Sequence, residues 1–341
     1  MARATARYQV VVGASPRQFD RRLRWRLHLH RLHPRELHGC IASFQSHWSS
    51  GACRKTGLNL IESDICANML PWLKKPIRGL LLDICGVLYE SGDTKAIPGS
   101  VEAVKMLRTS KIPFRFITNE TQRTKAQLLS LLHRIGFDVY ENDIFMCVPA
   151  ARKLVQEFGY RPYLLVHPNV ESEFHGCDTS NPNCVVLGDA GAHMTYERLN
   201  QAFRVLIGNP EAVLMSLGKG KFYREHGELV LDVGPFAVAL ESACERRAIV
   251  IGKPSEQFFN MALEDMHLRA DEVVMIGDDI SSDVGAAQSA GFRGVLVRTG
   301  KYRPSDDSHP TVKPDAIVAN LAEAVEHVVA HQPSHRFDTS S

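Results

Sequence analysis

The stretch Gly79-Leu80-Leu81-Leu82-Asp83-Ile84-Cys85-Gly86-Val87-Leu88-Tyr89-Glu90 decides the fold. A run of large apolar residues that ends on an acid and is soon followed by a glycine predicts a buried parallel strand. Such a strand delivers its carboxylate to the C-terminal edge of an open α/β sheet, where these sheets place their ligands. Asp83 then needs a partner, because charged side chains are rarely buried unless paired or bound to a metal. The candidates come much later in the chain: Lys253 in Gly252-Lys253-Pro254-Ser255, and the acids of Met275-Ile276-Gly277-Asp278-Asp279-Ile280-Ser281-Ser282-Asp283. Three strand ends, each with a charge at its turn, point to one site.

Working outward from this strand, Pro98-Gly99 precedes Val101, Val104 and Leu107, spaced for one helical face. Phe114-Arg115-Phe116-Ile117-Thr118 reads as a second strand that stops at the polar pair Thr118-Asn119. Thr124 and Gln127 have capping-box spacing for a helix bearing Leu128, Leu131, Leu132 and Ile135, and Gly136 suits its end. This βαβα order predicts an α/β fold with a doubly wound, Rossmann-like parallel sheet. From about 147 to 238 the same grammar repeats. A helix from Pro149 carries Ala151, Leu154, Val155 and Phe158, strands fall at 162–166 and 184–187, and a further helix carries Leu199, Ala202, Phe203 and Leu206. The repeat either continues the first sheet or forms an inserted α/β domain, and the position of Lys253 and Asp278 beyond it favours the insert. The expected domains are a basic, poorly ordered extension over 1–70, a catalytic core over 76–146 and 239–332, an insert over 147–238 and a fraying tail over 333–341. Within the core, a helix at 236–246 and strands at 249–252, 273–277 and 295–297 are expected, and Asn320-Leu321-Ala322-Glu323 has helix-start spacing.

The 341 residues suffice for one large domain or two ordinary ones, and 44% hydrophobic with 23% charged residues is the composition of a globular protein. The formal charge of +2 hides an asymmetry: residues 1–55 hold 11 Lys/Arg against 2 Asp/Glu, which leaves −7 for residues 56–341. An acidic body argues against nucleic acid as a partner. The leader, with Arg21, Arg22, Arg24, Arg26 and Arg31 among histidines, has few apolar positions from which to build a core. Its Arg-rich, acid-poor composition matches an organelle transit peptide over 1–40, whereas its modest serine content and lack of an amphipathic repeat do not. The eight cysteines lack Cys-x-x-Cys pairs, which suggests reduced thiols in a cytoplasmic compartment. No apolar run approaches the roughly 18 residues of a membrane span.

Asp83 and Asp278 are expected to share a hard cation, Mg²⁺, which takes a few carboxylate oxygens plus water and phosphate. The cation would screen Asp83 from an incoming phosphate and leave the carboxylate free to attack phosphorus. Lys253 would neutralise the phosphoryl oxygens, with the Thr118 hydroxyl and the Asn119 amide as hydrogen-bond donors. Each residue also has a plainer explanation as a turn former, a helix cap or a solvated charge. Their combination in this order points to phosphoryl transfer.

Asp83-Ile84-Cys85-Gly86-Val87-Leu88, Thr118-Asn119, Lys253-Pro254 and Gly277-Asp278-Asp279 with Asp283 resemble the four motifs of the haloacid dehalogenase superfamily of phosphatases, and the insert resembles its large C2-type α/β cap. Arg161-Pro162-Tyr163-Leu164-Leu165, Asp178-Thr179-Ser180-Asn181-Pro182-Asn183-Cys184-Val185-Val186, Ser216-Leu217-Gly218-Lys219-Gly220 and the segment from Arg298 to Asp306 are similar to members that hydrolyse phospholysine, phosphohistidine, imidodiphosphate and inorganic pyrophosphate. The similarity covers about residues 76–332. It implies Asp83 as nucleophile and metal ligand, Asp278 and the Cys85 carbonyl as further Mg²⁺ ligands, and Asp283 as support for the metal shell. Ile84, Cys85, Thr118, Asn119 and Lys253 would contact the phosphoryl group. A homodimer and a cytoplasmic or nuclear location belong to the same implication. Most members carry an Asp two residues after the nucleophile as general acid, and here that position is Cys85. The alternatives are a C2-capped phosphatase of a small phosphorylated metabolite and, because of Cys85, a non-catalytic phosphoryl-binding scaffold.

Overall fold

The computed structural model describes residues 70–92 and 95–332, so the expectations for the basic extension before Leu70 and for the tail 333–341 lie outside the described residues. Among the described residues, twelve strands numbered in chain order form three sheets. The largest contains β1 (Gly79–Leu82), β2 (Phe114–Thr118), β3 (Ile144–Met146), β10 (Val273–Gly277), β11 (Arg293–Val297) and β12 (Ala316–Val318). Its order is β12-β11-β10-β1-β2-β3 and every pairing is parallel.

β1 is buried on both faces, which is why it reads as a continuous apolar run rather than an alternation. Leu80 and Leu82 pack with the helices Ser100–Ser110, Lys125–Ile135 and Leu321–Ala330. Leu81 points the other way, to Cys147–Glu157 and Glu256–Met266. Full burial of each such side chain stabilises the fold by about 1.5–3 kcal/mol. The chain leaves β1 toward β2 and β3 on one side, then returns to build β10, β11 and β12 on the other. The sequence direction therefore reverses between β1 and β10, and the C-terminal ends on either side of that reversal form the crevice in which open α/β sheets bind ligands.

The capping box expected at Thr124 forms, with Thr124 Oγ1 accepting from Gln127 N and Gln127 Oε1 accepting from Thr124 N, and Gly136 closes the helix in the left-handed conformation.

A second parallel sheet has the order β4-β5-β6-β9, from β4 (Pro162–Leu165), β5 (Cys184–Leu187), β6 (Val213–Ser216) and β9 (Ile249–Val250). This corrects the expectation for two elements. Ile249–Val250 pairs with Met215 and Ser216 instead of returning to the catalytic sheet, and the helix Val233–Cys244 packs on the second sheet through Ala237 and Leu240. A short apolar run has the same character at the edge of either sheet, so its neighbours cannot be read from its composition. Immediately afterwards, buried Ile251 carries the chain back to the catalytic sheet and delivers Lys253.

The third sheet, a hairpin of β7 (Phe222–Glu225) and β8 (Glu228–Leu231), has no counterpart in the sequence expectation. β7 is half-buried throughout and β8 mostly exposed, and neither has a buried apolar face. The connection His226-Gly227, with φ of 48° and 85°, is a two-residue turn of the left-handed kind that suits the twist of paired strands. The hairpin is held to the catalytic core by His226 N donating to Ser91 O and by Arg224 Nε donating to Gly300 O.

Candidate active site

Every site residue singled out from the sequence lines one cleft at the C-terminal ends of β1, β2 and β10. Asp83 follows β1, its amide donating to Ile276 O, and is 6% exposed. Lys253 Nζ lies 2.6 Å from Asp83 Oδ1 and 2.8 Å from Asp283 Oδ1. Burial opposes the charge on Lys253, but Asp283 and Asp83 outweigh it and hold the ammonium protonated, above its ordinary range.

Asn119 also holds the lysine: its Oδ1 accepts from Lys253 N and its Nδ2 donates to Lys253 O, both at 2.8 Å, so the side-chain amide clamps the lysine backbone. Thr118 is buried in the cleft wall, with its hydroxyl accepting from Glu120 N at 3.2 Å. Ile84 is buried in the floor, where its carbonyl accepts from Val87 N and Leu88 N and closes the turn after β1.

Asp83, Asp278 and Asp283 bring one carboxylate oxygen each to within 4.8 Å of one another. Three buried carboxylates against the one ammonium of Lys253 leave a deficit of two positive charges, the charge of a divalent cation. Burial, only partly countered by Lys301, and then the charges of Asp83 and Asp283 push the Asp278 carboxyl up. Its Oδ2 accepts from Lys301 N at 2.8 Å, whereas Oδ1 is buried with no hydrogen-bond partner among the described residues. A buried acceptor left open is costly unless something occupies it, and a hard cation fits this donor set. Asp283 Oδ1 is likewise buried without a hydrogen-bond partner among the described residues, but it lies 2.8 Å from Lys253 Nζ, and Oδ2 accepts from Asp279 N at 3.0 Å.

The Asp278 carboxylate lies between two glycines. A Cβ at Gly86 or at Gly300 would come within 2.0 Å of Asp278 Oδ2, and both residues have positive φ, 82° and 61°. Gly300→Ala is therefore expected to displace the carboxylate and to weaken divalent-cation affinity and activity by about 10- to 100-fold. Titration of activity against metal concentration checks this; an unchanged midpoint would show that the carboxylate does not need that space.

Cys85 lines the same cleft. Burial, followed by the charges of Asp278, Asp83 and Glu120, pushes it far above the ordinary thiol value, so it stays protonated.

Sequence reasoning missed five groups in the cleft. Lys301, with Nζ 3.3 Å from Asp279 Oδ2, follows β11, so a fourth strand end carrying a charge was there to be noticed. Arg123 pairs with Glu120 at 2.8 Å. Asp232 and Arg224 come from the second-sheet region and the hairpin, where no motif announces them. Gln122 links the two halves of the cleft, its Nε2 donating to Asp189 Oδ2 at 2.8 Å and to Tyr223 Oη at 3.2 Å.

Comparison with known proteins accords with this geometry. The family model described as haloacid dehalogenase-like hydrolase matches residues 80–180, and a second model, HAD-hydrolase-like, matches residues 250–324. The chain is 52% identical over 267 residues to the phospholysine phosphohistidine inorganic pyrophosphate phosphatase of Homo sapiens, covering 77% of this chain and 99% of that protein. It is 50% identical to the protein of the same name from Danio rerio, over 76% of this chain and 96% of the relative. Among solved structures, 4-nitrophenylphosphatase from Thermotoga maritima superposes with a TM-score of 0.66 at 27% identity, covering 74% of this chain and 97% of that one. Motifs, sheet order, acid cluster and relatives agree: the chain belongs to the haloacid dehalogenase-like hydrolase family.

Proposed function

We propose that this protein is a Mg²⁺-dependent phosphatase that hydrolyses inorganic pyrophosphate and the P–N bonds of phospholysine, phosphohistidine and imidodiphosphate, with Asp83 as nucleophile. The observation that carries the proposal is the buried cluster of Asp83, Asp278 and Asp283 around Lys253 at the topological reversal of the sheet. Phospholysine, phosphohistidine and pyrophosphate are taken from the names of the relatives, and imidodiphosphate from the family resemblance. A homodimer and a cytoplasmic or nuclear location rest on the family resemblance alone; no helix among the described residues is long and apolar enough to cross a membrane.

In this account Asp83, Asp278 and the Cys85 carbonyl hold the cation, which when bound screens the carboxylates and polarises the phosphoryl oxygens. An Asp83 oxygen forms a bond to phosphorus while the bridging P–O or P–N bond breaks. A water oxygen then bonds to phosphorus as the aspartyl phosphate opens, releasing phosphate and regenerating Asp83. Lys253, held by the Asn119 clamp and by Asp283, neutralises the phosphoryl oxygens, and Thr118 donates its hydroxyl proton to one of them.

Cys85 shapes the choice of leaving group. A thiol held this far above its ordinary value is a poor proton donor, so the site favours departures that need little help: phosphate from pyrophosphate, or an amine already protonated on nitrogen. Alkyl esters, which expel a basic alkoxide, are handicapped. Cys85→Asp is expected to raise alkyl-ester hydrolysis relative to pyrophosphate by about 10²-fold or more, the usual worth of general-acid catalysis. Phosphate release from pyrophosphate, imidodiphosphate, phosphohistidine, phospholysine and a sugar phosphate, with and without Mg²⁺, tests the function. Unchanged relative rates in Cys85→Asp would end the explanation of selectivity, and no metal-dependent release from any substrate would end the proposal.

A further inference from the structure

Among the described residues four cationic side chains line the cleft, and three of them are neutralised by the protein itself. Lys253 faces Asp83 and Asp283, Lys301 faces Asp279 and Arg123 faces Glu120. Arg224 differs. Its Nε donates to Gly300 O at 2.9 Å and its Nη1 to Gly227 O at 2.8 Å, and among the described residues no carboxylate pairs with it. Carbonyl partners fix the direction of a guanidinium without cancelling its charge, which leaves the fork oriented for an anion.

The location of Arg224 is specific. The Gly300–Lys301 peptide accepts from Arg224 through its carbonyl and donates to Asp278 Oδ2 through its amide at 2.8 Å. One peptide unit thus joins the guanidinium to the carboxylate cluster, and the bond lengths of that unit keep Arg224 Nε within about 8 Å of Asp278 Oδ2. A diphosphate, two phosphoryl groups linked through one bridging atom, has an extent comparable to that separation. The arm that carries Arg224 is anchored at both neighbours. Tyr223 Oη accepts from Gln122 Nε2, Ser91 bridges to Glu225, and the preceding Phe222 ring lies 5.0 Å from the Arg303 guanidinium.

The rest of the cleft wall would repel a second phosphoryl group. Glu90 reaches Gly300 N at 3.1 Å, Asp189 faces Gln122, and Asp232 and Asp279 stand around Lys301. A diphosphate carries more negative charge than the acid cluster, its cation and Lys253 can balance, so it needs a further positive group beyond the scissile phosphorus. Among the described residues, Arg224 is the cleft cation without a carboxylate partner.

We propose that Arg224 is a binding residue for the second, departing phosphoryl group of pyrophosphate and related diphosphates, so that the hairpin supplies a diphosphate subsite to a centre otherwise built for one phosphoryl group. The proposal rests on the phosphatase reading above and adds the origin of its diphosphate specificity.

The test uses the full-length protein with saturating Mg²⁺. Arg224→Gln is expected to lower kcat/KM for pyrophosphate about 10- to 100-fold more than kcat/KM for phosphohistidine, mainly through KM, with Arg224→Lys recovering part of the difference. Turnover of phosphohistidine reports folding of the variant. A readout without substitution accompanies it: methylenediphosphonate should inhibit the unmodified protein at least about tenfold more tightly than methylphosphonate. Calorimetric titration of methylenediphosphonate into Asp83→Asn with and without Arg224→Gln should show the same loss of affinity. Equal losses on both substrates, no loss on pyrophosphate, or equal inhibition by the two phosphonates would overturn the subsite while leaving the phosphatase reading intact. If the unmodified protein turned over no phosphorylated compound, that reading would fail, and the calorimetric comparison would still decide whether Arg224 holds a second phosphoryl group.

Discussion

Asp83→Asn is expected to abolish phosphate release, by a factor on the order of 10⁴ or more, without loosening the fold. The carboxamide cannot form an acyl phosphate. Of its two neighbours in the acid cluster, Asp283 is engaged by Lys253 and Asp279 N, and Asp278 is held between Gly86 and Gly300. Stability should survive, because Lys253 keeps Asp283 at 2.8 Å as a counter-ion when the Asp83 charge is removed. The substitution also removes one of three mutually repelling carboxylates. Steady-state phosphate release and a thermal melt of the same preparation check both halves. Turnover within tenfold of the unmodified protein would assign the nucleophile elsewhere.

Lys253→Ala acts on stability as well as rate. The lysine is 3% exposed and is the cation paired with both Asp83 and Asp283, so its loss leaves buried charge without compensation. Removing one partner of a buried pair typically costs about 3–5 kcal/mol, which corresponds to a fall of roughly 10 °C in Tm for a domain of this size. The loss should depend on pH in a direction that follows from Asp283, whose carboxyl burial pushes up to about 6, against the opposing pull of Lys253. A carboxyl with a folded-state value above its unfolded one contributes stability that is fully present below the unfolded value and is lost as pH rises through the folded value. Without Lys253 that upper value rises further, so the variant should be least stable near neutrality and recover toward pH 5. Divalent cations should also raise its Tm more than that of the unmodified protein. Activity should fall by about 10²–10³-fold, the scale of a lost electrostatic contact to a reacting phosphoryl group. Melts across pH with chelator or Mg²⁺ would contradict the account if the two proteins melted together at every pH.

The parts of this molecule that were legible in its sequence are those where one physical demand acts along a short stretch. Strands buried on both faces must be apolar throughout, and a charge at their ends must find a partner, so Asp83, Lys253 and Asp278 stood out before any coordinates. Thr124 and Gln127 announced a helix start because the capping bonds they make are local. The task of Asn119 was hidden because its partner lies 134 residues away, and a turn asparagine looks the same whether it serves a ligand or a distant backbone. Ile249–Val250 was read into the wrong sheet because two apolar residues carry no record of their neighbours. Arg224 was invisible for a related reason. A hairpin with no buried face has little hydrophobic pattern, and the guanidinium gains meaning only where Gly300 receives it.

The central claim is that phosphate leaves its donor by bonding to Asp83. The most direct measurement is acid quenching of the protein during turnover of pyrophosphate with Mg²⁺, borohydride reduction, and peptide mass analysis of the segment containing residues 79–90. Reduction of an acyl phosphate yields an alcohol, so homoserine at position 83, formed only with substrate and absent from Asp83→Asn, is the expected result. Substrate-dependent modification at another residue, or none at position 83 while phosphate is being released, would contradict it.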